Sequence, residues 1–343
     1  MALAGGMLSA CSSSPATSAP KAGSSSGSGT AAKATSITIA LPVSEPVQSP
    51  VYLAKKLGYF RQSGLNVHVA VLAGSAAADA AMIAGSVQYT SVNAVALIHA
   101  SEKGLPIQNI CMEYDGPEWA LAVTKSTLSS DHISKGMGFK QLLTSLHGAR
   151  IATVGGAASA SGLMLTGLLK KNGLPPNWID LISVSASSSL ASAYSHGEVQ
   201  AVFDTQPTPD AIVQKFGGRV VFDTTQVSSL AKIPWEGIIG KKSYISKNPS
   251  INKAVCSAIG KADNYLRQHP SGAVSQLSGT FPNLSPALLG DALKAYKWAP
   301  DGGMTAAQWT SGAKLLAQLG MLKSAPSASV LSGAFTTKYL SVG

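Results

Sequence analysis

Between residues 36 and 222, short apolar, β-branched runs alternate with helix-forming stretches, most of them closed by a glycine. Such a chain buries both kinds of element by laying helices over a sheet, so the rhythm predicts an α/β architecture. Residues 36 to 41 are apolar and β-branched. Ser49 and Pro50 then read as an N-cap and a proline at the first helical position, with Leu53, Ala54, Leu57 and Phe60 on one face of a helix that Gly64 ends. Val67, Val69 and Val71 alternate as in a half-buried strand, and residues 75 to 84 form an Ala-rich helix stopped by Gly85. Residues 88 to 92 are a strand, Asn93 caps a helix through Glu102, and residues 107 to 114 are strand-like. The βαβαβαβ order predicts a parallel sheet.

A second unit repeats the scheme. Residues 142 to 146 are helical and 151 to 154 a buried strand, after which Gly155-Gly-Ala-Ala-Ser159 turns into a helix carrying Leu163, Leu168 and Leu169. Strands at 179 to 184, 200 to 203 and 220 to 222 and a helix at 188 to 196 continue it. After Trp235 the texture becomes helical: Ile251, Val255, Ile259, Ala262 and Leu266 form one stripe from Pro249 to Arg267, and Ser285 and Thr305 start two more helices.

Ahead of this, Leu8-Ser9-Ala10-Cys11 reads as a lipobox that ends a signal peptide over residues 1 to 11, with Cys11 as the lipidated residue. MALAGGMLSA is short for a signal peptide and has no basic residue, which leaves room for a start upstream. Residues 12 to 36 are a Ser/Gly/Ala/Pro tether with too little apolar mass to pack. The 45% hydrophobic content then suffices for two cored domains, while no later stretch is long and apolar enough to span a membrane. The expectation is a monomer anchored to the extracytoplasmic face of the cell membrane through lipid. The net charge is +10, but the Lys and Arg residues are scattered, with no basic run interleaved with aromatics, so nucleic acid is not expected as a partner. Cys111 and Cys256 either pair or remain two buried thiols. The six histidines show no metal-ligand spacing, and no Gly-x-Ser-x-Gly elbow occurs, so neither an enzyme, a metal site nor a cofactor is expected.

Several segments together carry a family resemblance: Tyr52-Leu-Ala-Lys-Lys-Leu-Gly-Tyr-Phe-Arg-Gln-Ser-Gly-Leu-Asn-Val67, Ala84-Gly-Ser-Val-Gln88, Lys103-Gly-Leu-Pro-Ile107, Leu146-His-Gly-Ala-Arg-Ile151, Asn172-Gly-Leu-Pro175 and His196-Gly-Glu-Val-Gln-Ala201. In order and spacing they resemble the nitrate/sulfonate/taurine-type substrate-binding proteins of ABC importers, a group that includes thiamine-precursor binders. The resemblance implies a type II periplasmic-binding-protein fold with a ligand cleft between two α/β lobes, one of residues 37–122 plus 238–343 with the C-terminal helices on it, the other of residues 123–237. It also implies a small-molecule ligand and ABC permease subunits as partners. One departure is that Gln88 and Gln200 stand where the family commonly has Asp.

In such sheets ligands sit beyond the carboxyl ends of the strands. The loops there hold Glu45, Glu113, Asp115, Glu118, Asp204, Asp210 and Glu236 against one basic residue, Lys232. That imbalance favours a neutral or cationic ligand, amine-bearing or heteroaromatic, over a sulfonate, nitrate or taurine. Candidate ligand-binding residues are Ser44, Gln48, Gly74, Ser75, Asn93, Tyr114, Asp115, Ser159, Ser161, Asp204 and Trp235. Most have a second, structural role open to them: the hydroxyl and amide side chains as helix caps, Asp204 as a turn cap, Trp235 as a hinge plug. The other functional readings are a ligand-sensing lobe and an enzyme like the fold-mates that make the thiamine pyrimidine.

Overall fold

The structure, a computed structural model, describes residues 34–340; Cys11 and residues 12–33 of the expected tether lie outside them. Four strands come first: β1 (Thr35–Leu41), β2 (Leu65–Val71), β3 (Tyr89–Asn93) and β4 (Ile107–Asp115). They are followed by β5 (Trp119–Val123), β6 (Arg150–Val154), β7 (Asp180–Val184), β8 (Ala201–Thr205) and β9 (Arg219–Asp223), and then by β10 (Pro234–Lys241) and the two-residue β11 (Lys297–Trp298). The strands form two sheets, in the orders β11-β4-β10-β3-β1-β2 and β7-β6-β8-β5-β9. This is the expected two-lobe type II arrangement.

The first sheet is mixed, not parallel as the local alternation predicts. β1 runs parallel to β2 and β3, but β10 lies between β3 and β4, antiparallel to both. A strand returning from the far side of the second lobe leaves no local signal at the place it fills. β5 is another strand missing from the sequence reading, because all five residues of Trp119–Val123 are buried and no period-two alternation marks them. The expected lobe limits at 122/123 and 237/238 would cut β5 and β10; by pairing, β5 belongs to the second sheet and β10 to the first.

Local starts follow the predicted chemistry with one exception. Asn93 accepts the Ala96 N–H at 3.0 Å, Ser285 caps its helix, and Thr305 forms a capping box with Gln308. Ser49, however, is not an N-cap: a short 3₁₀ turn over Pro46–Gln48 precedes helix Ser49–Lys56, and Ser49 Oγ donates back to Pro46 O. That helix also breaks at Leu57–Gly58 before a separate turn, Tyr59–Gln62. Helix Pro249–Gln268 buries Val255, Ile259, Ala262 and Leu266 of its predicted stripe. Each large aliphatic so buried contributes about 1.5–3 kcal/mol.

Gln88 and Gln200 share one role. Gln88 Oε1 accepts the Thr38 N–H at 2.7 Å, and Gln200 Oε1 accepts the Arg150 N–H at 2.8 Å. Each satisfies a backbone donor of the neighbouring strand, near the start of β1 in one sheet and at the start of β6 in the other, far from the cleft. A glutamine side chain accepts such a bond without the burial cost of a carboxylate.

Two chain segments, residues 116–118 and 224–233, join the sheets, and they are tied together. Gly116 N–H donates to Ile233 O at 2.7 Å, and Thr224 Oγ1 donates to Pro117 O at 2.6 Å while accepting from Trp119 N–H at 2.9 Å. Gly116 is left-handed (φ +74°), and a Cβ there would run into the Ala231 backbone, so no other residue fits without separating the two segments. The Trp119 and Trp235 rings meet edge to face at 5.3 Å. Cys111 and Cys256 are both free and buried. No described helix is long and apolar enough to cross a membrane.

Candidate functional site

The strand ends that face between the two sheets carry an unusual density of buried carboxyls. β3 ends in Ser91, Val92 and Asn93, and β4 in Glu113, Tyr114 and Asp115. The antiparallel insertion of β10 brings Glu236 opposite Asn93 and Tyr114. Ser91 Oγ consequently sits 2.5 Å from Glu113 Oε2 and 2.8 Å from Glu236 Oε1. Glu118 lies in the crossing before β5, and Asp204 at the end of β8. One oxygen each of Glu113, Asp115, Glu118 and Asp204 is buried without a hydrogen-bond partner. Among the described residues the one ion pair is Lys294–Asp291, on the surface, so no cation neutralises these acids.

Burial therefore decides their charge. Loss of solvent raises Glu113 to about 7, against a smaller lowering by the Ser91 hydroxyl. Asp115 rises to about 7 and Glu118 to about 8, and Glu236 is pushed well above the ordinary carboxylate range, in each case chiefly by burial. Burial raises Asp204 as well, but only to about 6, against smaller lowerings by the Thr205 N–H and the Ser187 and Thr208 hydroxyls. At neutral pH Asp204 is thus the most readily ionised carboxyl of the group, while Glu118 is mostly a neutral acid and burial pushes Glu236 toward its neutral form. Counting residues in the sequence overstates the negative field of this region.

A cavity of about 520 Å³ is lined by residues that follow β1, by helices Ser187–Ser195 and Thr208–Phe216, and by residues 280–284; Asp204 itself is buried and does not line it. Ser44 and Glu45, from the turn after β1, form one wall. Ser187 and Thr208, whose hydroxyls favour the ionised form of Asp204, line it as well. Phe281 and Phe216 supply apolar surface, and the exposed Lys215 stands at the rim. Behind the hinge, Tyr114 meets Tyr296 and Trp298 edge to face at 5.1 and 5.9 Å, and Tyr296 Oη donates to Gln206 O at 2.8 Å, linking the two lobes. The site can receive a small molecule with an apolar body and hydrogen-bond donors aimed at Asp204 and Glu45.

The predicted residues fall into three groups. Ser44 lines the cavity, Asp204 is joined to it through Ser187 and Thr208, and Gln48 lies buried behind it with Oε1 unpartnered. Tyr114, Asp115 and Trp235 gather on the hinge side; Tyr114 and Trp235 are buried against other aromatic rings, and Asp115 is half-buried with a free Oδ1. The rest are held by local structure away from the cavity. Asn93 caps its helix, Gly74 and the exposed Ser75 start helix Ser75–Ala84, and Ser159 accepts the Gly162 N–H while Ser161 bonds Thr153 Oγ1 at 2.5 Å. Lys232, the one basic residue expected in the cleft loops, is exposed and does not line the cavity. Sequence reasoning missed Ser187, Thr208, Lys215 and Phe281. The Ser-Ser-Ser run at 187–189 is a signal for the first, whereas Phe281 belongs to a wall segment, residues 280–284, far along the chain from the others.

The family model described as "NMT1/THI5 like" matches residues 45–273, about two thirds of the chain. The chain belongs to the NMT1/THI5-like family. Within that setting it is 21% identical over 80% of its length to YtlA of Bacillus subtilis (strain 168), which carries the name of a binding protein and is itself covered to 80%. It is 23% identical over 71% of its length to 4-amino-5-hydroxymethyl-2-methylpyrimidine phosphate synthase of Candida albicans (strain WO-1), covered to 70%. Among solved structures it resembles the alkanesulfonate-binding protein SsuA of Xanthomonas axonopodis pv. citri bound to MOPS (TM-score 0.66, 17% identity, 90% of this chain and 100% of that one). It also resembles the nitrate-binding protein NrtA of Synechocystis PCC 6803 (TM-score 0.66, 13% identity, 88% and 86%). At these identities the structural likeness establishes the fold.

Proposed function

We propose that this NMT1/THI5-like protein is an extracytoplasmic solute-binding lipoprotein, anchored through Cys11 and the tether of residues 12–36, that captures a small organic ligand between its lobes and hands it to an ABC permease. The ligand is amine-bearing or heteroaromatic. The observation that carries this reading is a largely apolar cavity whose lining residues Ser187 and Thr208 favour, against burial, the ionised form of Asp204 behind them. A charge-assisted hydrogen bond to such a carboxylate favours an N–H donor and repels an anion. The lobes meet at the paired segments 116–118 and 224–233, which suit a hinge.

A second reading, sulfonate or nitrate binding, draws on the protonated state of Glu118 and Glu236, since neutral acids can donate to an anion. Calorimetry with 4-aminopyrimidine and benzylamine on one side and taurine, an alkanesulfonate and nitrate on the other separates the two. Tight binding of the first group, weakened in Asp204→Asn, supports the amine reading; tight binding of the second, untouched by that substitution, replaces it.

A further inference from the structure

We propose that Glu113, Ser91 and Glu236 form a proton store that the cleft exchanges for the positive charge of its ligand, so that capture of a protonated amine expels a proton. This rests on the amine reading above and adds to it a stoichiometry.

The argument starts from one hydroxyl. Ser91 Oγ lies within 2.8 Å of a carboxyl oxygen from each glutamate, yet a serine hydroxyl carries one proton and can donate to one of them. The other short contact then needs a carboxylic O–H donating to Ser91 Oγ. Two ionised carboxylates around one hydroxyl would leave an unshielded pair of like charges in a sealed space. The geometry itself thus requires at least one bound proton, and the two glutamates titrate as a unit.

No neighbouring element supplies a cation that could replace it. The titratable groups that interact with the trio are Cys111 and Tyr114 from β4, Glu118 from the crossing, Asp79 from helix Ser75–Ala84, Asp263 from helix Pro249–Gln268 and Tyr296 just before β11. Arg267 is placed beside Asp263, not beside the trio. Glu113 and Ser91 are sealed, whereas Glu236, at the start of β10 beside the segment that crosses between the sheets, keeps 8% of its surface and is the least buried of the three. A separate feature points to a ligand rich in donors. Gln48 and Gln206, next to the cavity-lining Pro46 and Pro207, are 1% and 4% exposed and hold amide oxygens with no donor to accept from.

The exchange balances. A monocation enters, the carboxylic acid of the pair becomes a carboxylate, and its proton leaves to solvent, so the net charge of the closed site stays the same. Burial favours the loaded, protonated form of the pair, since it raises both glutamates above the ordinary carboxylate range.

The test is titration calorimetry of the full chain with benzylamine at pH 7 in phosphate and in Tris, whose ionisation heats differ. A buffer-dependent heat equivalent to about one proton released per ligand is expected. An infrared difference spectrum on benzylamine addition should show loss of a carboxylic C=O band, and the Glu113→Gln/Glu236→Gln double variant should lose both signals. Should that variant fold poorly, Ser91→Ala, which removes the bridging hydroxyl, must alter the number of protons released. Tight binding with heats independent of buffer overturns the exchange and leaves the amine reading standing. Failure of benzylamine to bind, with the acid band present in the free protein, removes both.

Discussion

Replacing Asp204 by Asn should stabilise the empty protein while it weakens ligand binding. Asp204 is 6% exposed, and burial moves its carboxyl from 3.8 to about 6. At about 1.4 kcal/mol per pH unit, keeping it ionised in the fold costs about 3 kcal/mol. A raised folded-state value means that the group stabilises the fold at low pH and that this contribution is lost as pH rises through about 6. The amide keeps an acceptor for the Ser187 and Thr208 hydroxyls without the buried charge. At pH 7.5 Asp204→Asn is therefore expected to gain about 1–3 kcal/mol in urea unfolding, and at pH 5, where the wild-type carboxyl is mostly protonated, about 1.4 kcal/mol of that advantage disappears. Amine affinity should fall by about 1.5–3 kcal/mol for the lost charge-assisted bond. Paired urea titrations at the two pH values, with calorimetry at pH 7.5, give all three numbers. A variant less stable than wild type at pH 7.5, or a difference that does not change with pH, would refute the reasoning.

Cys11→Ser should leave the fold intact and move the protein from the membrane fraction to the soluble fraction; a variant still in the membrane pellet would rule out the lipid anchor. Gly167→Ala should destabilise by about 1–3 kcal/mol, because the added methyl meets the Leu319 carbonyl where helix Ala160–Lys171 packs on the C-terminal region; thermal unfolding measures it, and an unchanged melting temperature would show that the contact yields freely. Small-angle scattering should report a smaller radius of gyration at ligand saturation, as expected of a hinge that closes on its cargo. An unchanged radius would argue for a site within one lobe.

How much of this was readable in the sequence depended on the range of the signal. Caps and helix stripes are local, so Asn93, Thr305 and the Val255–Leu266 face could be read directly. The glutamines at 88 and 200 looked like a departure from the family because their hydrogen-bond partners lie 50 residues away. The carboxyls of the cleft were visible as residues but not as charges. Their protonation depends on the insertion of β10, which places Glu236 against Ser91 and Glu113 and has no local trace. Cavity walls built from distant segments, such as Phe281 beside Ser187, left no signal that one sequence could supply.

The neutral acids of the interior also change how the whole molecule meets an electric field. The formal charge of +10 counts every Asp and Glu as ionised. Each carboxyl that burial keeps protonated, Glu118 among them, raises the charge of the folded chain above that figure at pH 7. In native electrophoresis the folded protein will migrate as a stronger cation than its composition implies. Unfolding it at constant pH will release those protons, so the denatured chain is the less positive of the two and an unbuffered solution turns slightly acid as the protein melts.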